Sequence, residues 1–147
     1  MKTFTFEISV KTREYLDIQD LTDQIAQQSL NSKIKDGLIN IQTLHTTTAI
    51  ILNENEPLLL QDFKNNLERT APKDIQYKHD DFSQRTVNMC DDECQNGHSH
   101  CKALHLSSNI CINLIDSRLQ LGTWQRILFI ELDRPRTRKI QIQIIGQ

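Results

Sequence analysis

The sequence is short of aromatic residues and has no surplus of charge of either sign. Phe, Tyr and Trp make up 5% of 147 residues, a sparse supply for a core, so part of the apolar surface is expected to be covered by association of chains. A formal net charge of −2 gives no overall field that would draw the chain to nucleic acid, and no nucleic-acid partner is expected. No apolar run reaches about 18 residues, which excludes a membrane-spanning helix. The N-terminus, MKTFTFEISV, alternates apolar and polar residues and has neither a signal-peptide core nor a small-residue cleavage site, so the expected location is the cytoplasm.

What is present has the balance of a globular protein. Charged residues make up 24% and apolar residues 37%, and the length suits one domain over 1–147. Cys90, Cys94, Cys101 and Cys111 lie in one stretch that suits a disulfide framework, a metal cluster or plain thiols. Without a secretion signal, reduced thiols are the expectation.

Periodicity predicts an α+β arrangement. Phe4, Phe6, Ile8 and Val10 alternate with polar residues as in a half-buried strand. Asp17 is read as opening a helix carrying Ile18, Leu21 and Ile25, with a stop at Asn31 to Lys33. After the Asp36-Gly37 turn, Ile39 and Ile41 share one strand face, and extending that period places Thr43 and His45 inward. Ala49 to Leu52 resumes a strand, and Pro57 starts a helix capped by Asn55 or Glu56, with Leu59, Phe63 and Leu67 as its apolar stripe. Lys73 to Gln95 is read as a long connection, followed by a short helix around His98 to Leu106. Strands follow at Ile110 to Leu114, at Leu119 to Leu121, at the continuous apolar run Ile127 to Ile130, and at Ile140 to Ile144.

Histidines mark the chemistry. His45 precedes Thr46, Thr47 and Thr48 and is followed by Asn53, Glu54 and Asn55; a buried imidazole there needs a hydrogen-bond partner, a ligand or water, and a bonded core histidine satisfies the same pattern. In Asn96-Gly97-His98-Ser99-His100-Cys101-Lys102, the two histidines diverge on a helix, so one at most serves a given site. Cys90, Cys94, His98 and Cys101 could form a tetrahedral zinc site, against buried or idle thiols. The run Arg134, Arg136, Arg138 and Lys139 suits an anion site or a solvated sheet end.

The segments HTTTAIILNENEP, YKHD, NGHSHCKAL and LQLGTWQRILFIELD, with the isoleucine-rich end, resemble in order and spacing the YjbQ family, also called the secondary thiamine-phosphate synthase family. The resemblance covers nearly the whole chain. It implies a single-domain α+β fold of twisted, mostly antiparallel sheets with a sandwich-like core and two or three helices, associating as a homotrimer with a polar cleft near the subunit boundary. Its histidines map onto His45, His79 and His100 as metal ligands for a divalent metal, zinc or magnesium, with His45, Glu54 and His100 in acid–base roles. Asn53, Asn96, Lys102, Trp124 and Gln125 match further motif positions of the family and, with Thr46 and Thr47 beside His45 and with Arg136 as an anion contact, are the expected substrate-binding residues. His98 stands where many members have another residue, and the Cys90 to Cys94 segment lies in a longer loop than compact members carry.

The activity implied joins an aminopyrimidine methyl diphosphate to a thiazole phosphate with loss of diphosphate, so the partner is a small phosphorylated substrate. The rival reading is a non-catalytic trimeric protein that holds a metal or small anion. A third reading makes the histidines structural.

Overall fold

The computed structural model describes residues 1–147 as eight strands and three helices. One antiparallel sheet of five strands contains β1 (Lys2–Lys11), β8 (Thr137–Gly146), β3 (Gly37–Thr43), β5 (Asn109–Ile115) and β6 (Arg118–Leu119), in that spatial order. A second, of three, has β7 (Arg126–Glu131) between β2 (Ile18–Asp20) and β4 (Thr48–Asn53). The helices are α1 (Thr22–Ser29), α2 (Pro57–Thr70) and α3 (Gly97–Ala103).

Alternation builds the core. Ile8 and Val10 of β1, Ile39 and Ile41 of β3, and Ile140, Ile142 and Ile144 of β8 meet Ile50 of β4 and Ile127 and Phe129 of β7 between the two sheets. Ile25 of α1 joins the same cluster. On the far side of the small sheet, Ala49 and Ile130 pack with Leu16, Leu67 of α2 and Leu132. β7 is thus covered on both faces, as its unbroken apolar run requires. No helix is long and apolar enough to cross a membrane.

Helix α2 begins as read, with Pro57 in its first turn and the Glu56 carboxylate accepting from Leu58 N and Leu59 N. Asp17 does not open α1. Residues 18–20 pair with Leu128 to Ile130 of β7, and the helix starts at Thr22, whose N–H donates to Asp20 Oδ1 at 2.9 Å. The apolar spacing of Ile18, Leu21 and Ile25 fits a strand leading into a helix as well as one longer helix, and pairing with β7 decides between them. The return strand after the Asp116-Ser117 turn is shorter than read, ending at Leu119.

Where β7 ends and β8 begins, two charges lie inside the protein. Arg138 and Glu131 side chains are 3% and 0% exposed, and the guanidinium donates to both carboxylate oxygens, at 2.6 and 2.5 Å. Arg138 also donates to Thr47 Oγ1, and Asp133 N to Glu131 Oε1. Removing one partner leaves the other charge buried alone, a loss of about 3–5 kcal/mol. Arg138→Met is therefore expected to lower unfolding free energy by about that amount in urea titrations. The double change with Glu131→Leu should cost less than the single one; a single change within about 1 kcal/mol of the parent would contradict this role.

Candidate functional site

A histidine pair forms where the Lys73 to Gln95 connection meets α3. The connection makes a 3-10 turn at Lys78–Asp80, and Asp80 Oδ1 accepts from both Asn96 N and Gly97 N at 2.9 Å. Gly97 permits this closeness, since a Cβ there would lie 2.5 Å from Tyr77 Cβ. The turn presents His79 to His100 with ring centroids 4.6 Å apart and planes inclined by 62°. An Arg85–Glu93 ion pair at 3.2 Å fastens the loop between them in sequence.

Two buried polar atoms in this corner have no hydrogen-bond partner: His79 Nε2 and Asn96 Oδ1. An unsatisfied buried group costs about 1–3 kcal/mol, so an arrangement that keeps two is suited to a ligand that supplies the missing contacts. The Asn96 amide reaches Asp133 Oδ2 at 3.4 Å, and Arg136 donates to the same oxygen at 2.8 Å. Cys94 Sγ lies 3.9 Å from Asp133 Oδ1.

His45 approaches from the β3–β4 connection. It does not continue β3 inward: the strand stops at Thr43, and the half-buried ring turns onto β8, where Nε2 accepts from Lys139 N at 2.9 Å. With that lone pair engaged, the neutral ring carries its proton on Nδ1 and acts as a donor rather than a metal ligand. His45 and His100 line a cleft of about 430 Å³ with Thr46, Cys101, Leu104 and Leu106.

Other expected residues lie elsewhere. Thr47 is buried beneath the cleft on Arg138. Lys102 is 0% exposed; its ammonium donates to Ala71 O and lies 3.5 Å from Glu68, and it bonds to none of the histidines. Asn53 pairs with Arg126 at the end of β4 opposite Thr48, roughly 17 Å away at about 3.3 Å per residue. Glu54 adjoins it in sequence, and Trp124, 71% exposed, and Gln125, folded back onto Gly122 N, immediately precede Arg126. No group of three or more His, Cys, Asp or Glu side chains is arranged to hold a metal, so neither a three-histidine shell nor the Cys90, Cys94, His98 and Cys101 set is preassembled in one chain. All four cysteines are free thiols.

Asp133 and Asp80 were not singled out by the sequence reading, nor was Glu131. The signal for Glu131 was its place closing a strand covered on both faces, where parity sets it inward with Ile127 and Phe129.

The family profile described as UPF0047 protein YjbQ-like matches residues 6–147. A UPF0047 protein from Methanothermobacter thermautotrophicus is 35% identical over 147 residues, covering 100% of this chain and 95% of that protein. One from Archaeoglobus fulgidus is 37% identical over 139 residues, covering 95% and 99%. A solved structure from Sulfolobus solfataricus, a YbjQ-like protein of unknown function, superposes with a TM-score of 0.86 at 33% identity and covers 99% of each chain. The chain belongs to the YjbQ-like UPF0047 family.

Burial is the largest cause holding His45, His98 and His100 below the usual imidazole range; Arg138 adds to it at His45, Lys102 at His98 and His79 at His100. A base depressed on folding resists protonation, so the native state loses stability as pH falls below the unfolded value of about 6.5, and gains nothing from these groups above it. Asp17, Asp20 and Glu68 are held below the carboxylate range, and their contribution is lost at lower pH, near about 4. Urea midpoints should therefore decline already between about pH 7.5 and 5.5. A flat profile there would show that the imidazoles protonate freely.

Proposed function

We propose that the protein is a small-molecule enzyme that binds a phosphorylated substrate where the cleft of His45 and His100 adjoins His79, with Asn96 and Arg136 behind it on Asp133. The unpartnered His79 Nε2 and Asn96 Oδ1 carry this reading, because each is a buried group that a bound molecule or ion would satisfy. Family resemblance suggests thiamine-phosphate synthesis as the first reaction to assay: a thiazole nitrogen displaces diphosphate from the pyrimidine methylene carbon. His45 Nδ1–H and Arg136 would then offer donors to the developing anion. The His79 and His100 imidazoles suit zinc, which when bound would neutralise charge on the leaving diphosphate; magnesium prefers oxygen ligands and would be held by the diphosphate itself.

Purified chain incubated with both precursors and magnesium tests this. His100→Ala and His79→Ala should each lower turnover about 100-fold or more, within the range of lost acid–base or electrostatic assistance. Product formation equal to that of the parent would remove these residues from the site.

A second reading, metal binding without chemistry, draws on the same unpartnered His79 Nε2 beside His100. Metal near one per chain in tag-free protein, with no turnover of either precursor, would favour it.

Association as a homotrimer is part of the proposal. The outer face of the five-stranded sheet supports it: Thr5, Ser9, Gln42, Gln141, Gln143, Asn109 and Asn113 are exposed there, while Glu7 and Lys139 neutralise each other at 3.2 Å. Leu38, Ile145 and Ile115 add exposed apolar area, and amides that both donate and accept suit a second copy of the same chain. Asn53, Glu54 and Trp124 would meet a histidine cleft only across such a boundary. Light scattering should give three times the chain mass, and a monomer at micromolar concentration would refute it.

A further inference from the structure

His98 faces away from His100, because residues two apart on a helix point about 200° apart. It is 3% exposed and lines a separate cavity of about 800 Å³, walled by Lys73, Asp74, Tyr77, Lys78 and Gln95 among others. This cavity shares no lining residue with the cleft of His45 and His100. The turn that sets His79 against His100 lends Lys78 and Asp80 to the cavity's wall.

The hydrogen-bond chain behind His98 fixes its tautomer. Ser99 is 0% exposed, and its Oγ lies 2.5 Å from Leu132 O and 3.2 Å from His98 Nδ1. A carbonyl oxygen only accepts, so the one hydroxyl proton goes to Leu132, and Oγ must accept from Nδ1–H. In the neutral ring Nε2 is then an acceptor, and no protein group donates to it. Tyr15 packs edge-on against the ring, with centroids 5.3 Å apart, and holds its plane.

Lys73 and Lys78 form no salt bridge, and Lys73 Nζ rests over the Tyr15 ring at 4.8 Å. Among the lining acids, Asp80 is engaged by the Asn96 and Gly97 amides and Asp81 by Ser83 and Gln84, while Asp74 is free. The cavity therefore combines two uncommitted ammonium groups with two uncommitted acceptors, His98 Nε2 and Asp74. A fully ionised oxyanion satisfies the first and is repelled by the second. An oxyanion that still carries a proton satisfies both.

We propose that the His98 cavity is a second ligand site, selective for a protonated phosphate group: its P–OH donates to His98 Nε2 and its anionic oxygens accept from Lys73 and Lys78. The assignment is independent of the reaction proposed for the His79–His100 cleft.

Titration of the full chain with inorganic phosphate and with sulfate, at matched ionic strength and about pH 6.5, tests it through the imidazole NMR signals. Phosphate keeps a proton there and sulfate has none. His98 signals should shift saturably with phosphate, with sulfate roughly tenfold weaker, the equivalent of one charge-assisted hydrogen bond. Shifts of His79 or His100 that accompany those of His98 report the other cleft and do not bear on this site. Glycerol phosphate, about half protonated on its phosphoryl group near pH 6, separates a phosphorylated metabolite from free phosphate: comparable binding points to the metabolite, and much weaker binding to the free ion. His98→Gln, which can donate as well as accept, should bring phosphate and sulfate to parity, and Lys73→Met should weaken both together. Equal responses to the two ions, shifts confined to His79 and His100, or no saturable shift would each overturn the proposal. The titration of the unaltered chain decides even if a variant fails to fold.

Discussion

The arrangement of both cavities depends on the Glu131–Arg138 ion pair. Taking two charges out of water costs several kcal/mol per ion, and a salt bridge alone does not recover that. Here the guanidinium meets the carboxylate with two donors, and Thr47 and the Asp133 amide occupy remaining positions. The pair joins the last residue of one sheet's central strand to the second residue of a long strand in the other. The intervening segment, Leu132 to Arg136, is thereby pinned at both ends. From it Leu132 O receives Ser99, Asp133 receives Asn96 and Arg136, and just beyond it Lys139 N meets His45.

A second constraint is the single oxygen of Asp80 that serves two amides of α3. It converts part of a long polar connection into a fixed wall and brings His79 to His100. Without it, a seven-residue helix with Gly97 in its first turn would have little intrinsic reason to form. The site is thus gathered from segments far apart in sequence by charge and hydrogen bonding, over a core that isoleucine alternation provides.

That alternation was readable: Ile140, Ile142 and Ile144 give β8 its face, and the same parity carried one step back reaches Arg138. Glu131 follows the apolar run of β7 in the same way. Two opposite charges on buried parity, at adjoining strand ends, imply each other, but Arg138 sits in a basic run that has the composition of a solvated edge. His45 was placed inward by extending a period beyond the point where the strand ends. The burial of Lys102 had no local signal, since Glu68 and Ala71, its partners, come from another helix and its end. Divergence of His98 from His100 followed from helix geometry alone, and the two imidazoles do line different cavities.

The brevity of α3 gives that divergence an evolutionary side. Within two turns, the helix lends one imidazole to each of two chambers, and their linings have no side chain in common. Exchange at position 98 can therefore install or erase one chamber's acceptor while the opposite wall, with His100, keeps its contacts. A different side chain at that position would alter what the second chamber offers and leave the lining of the first as it is.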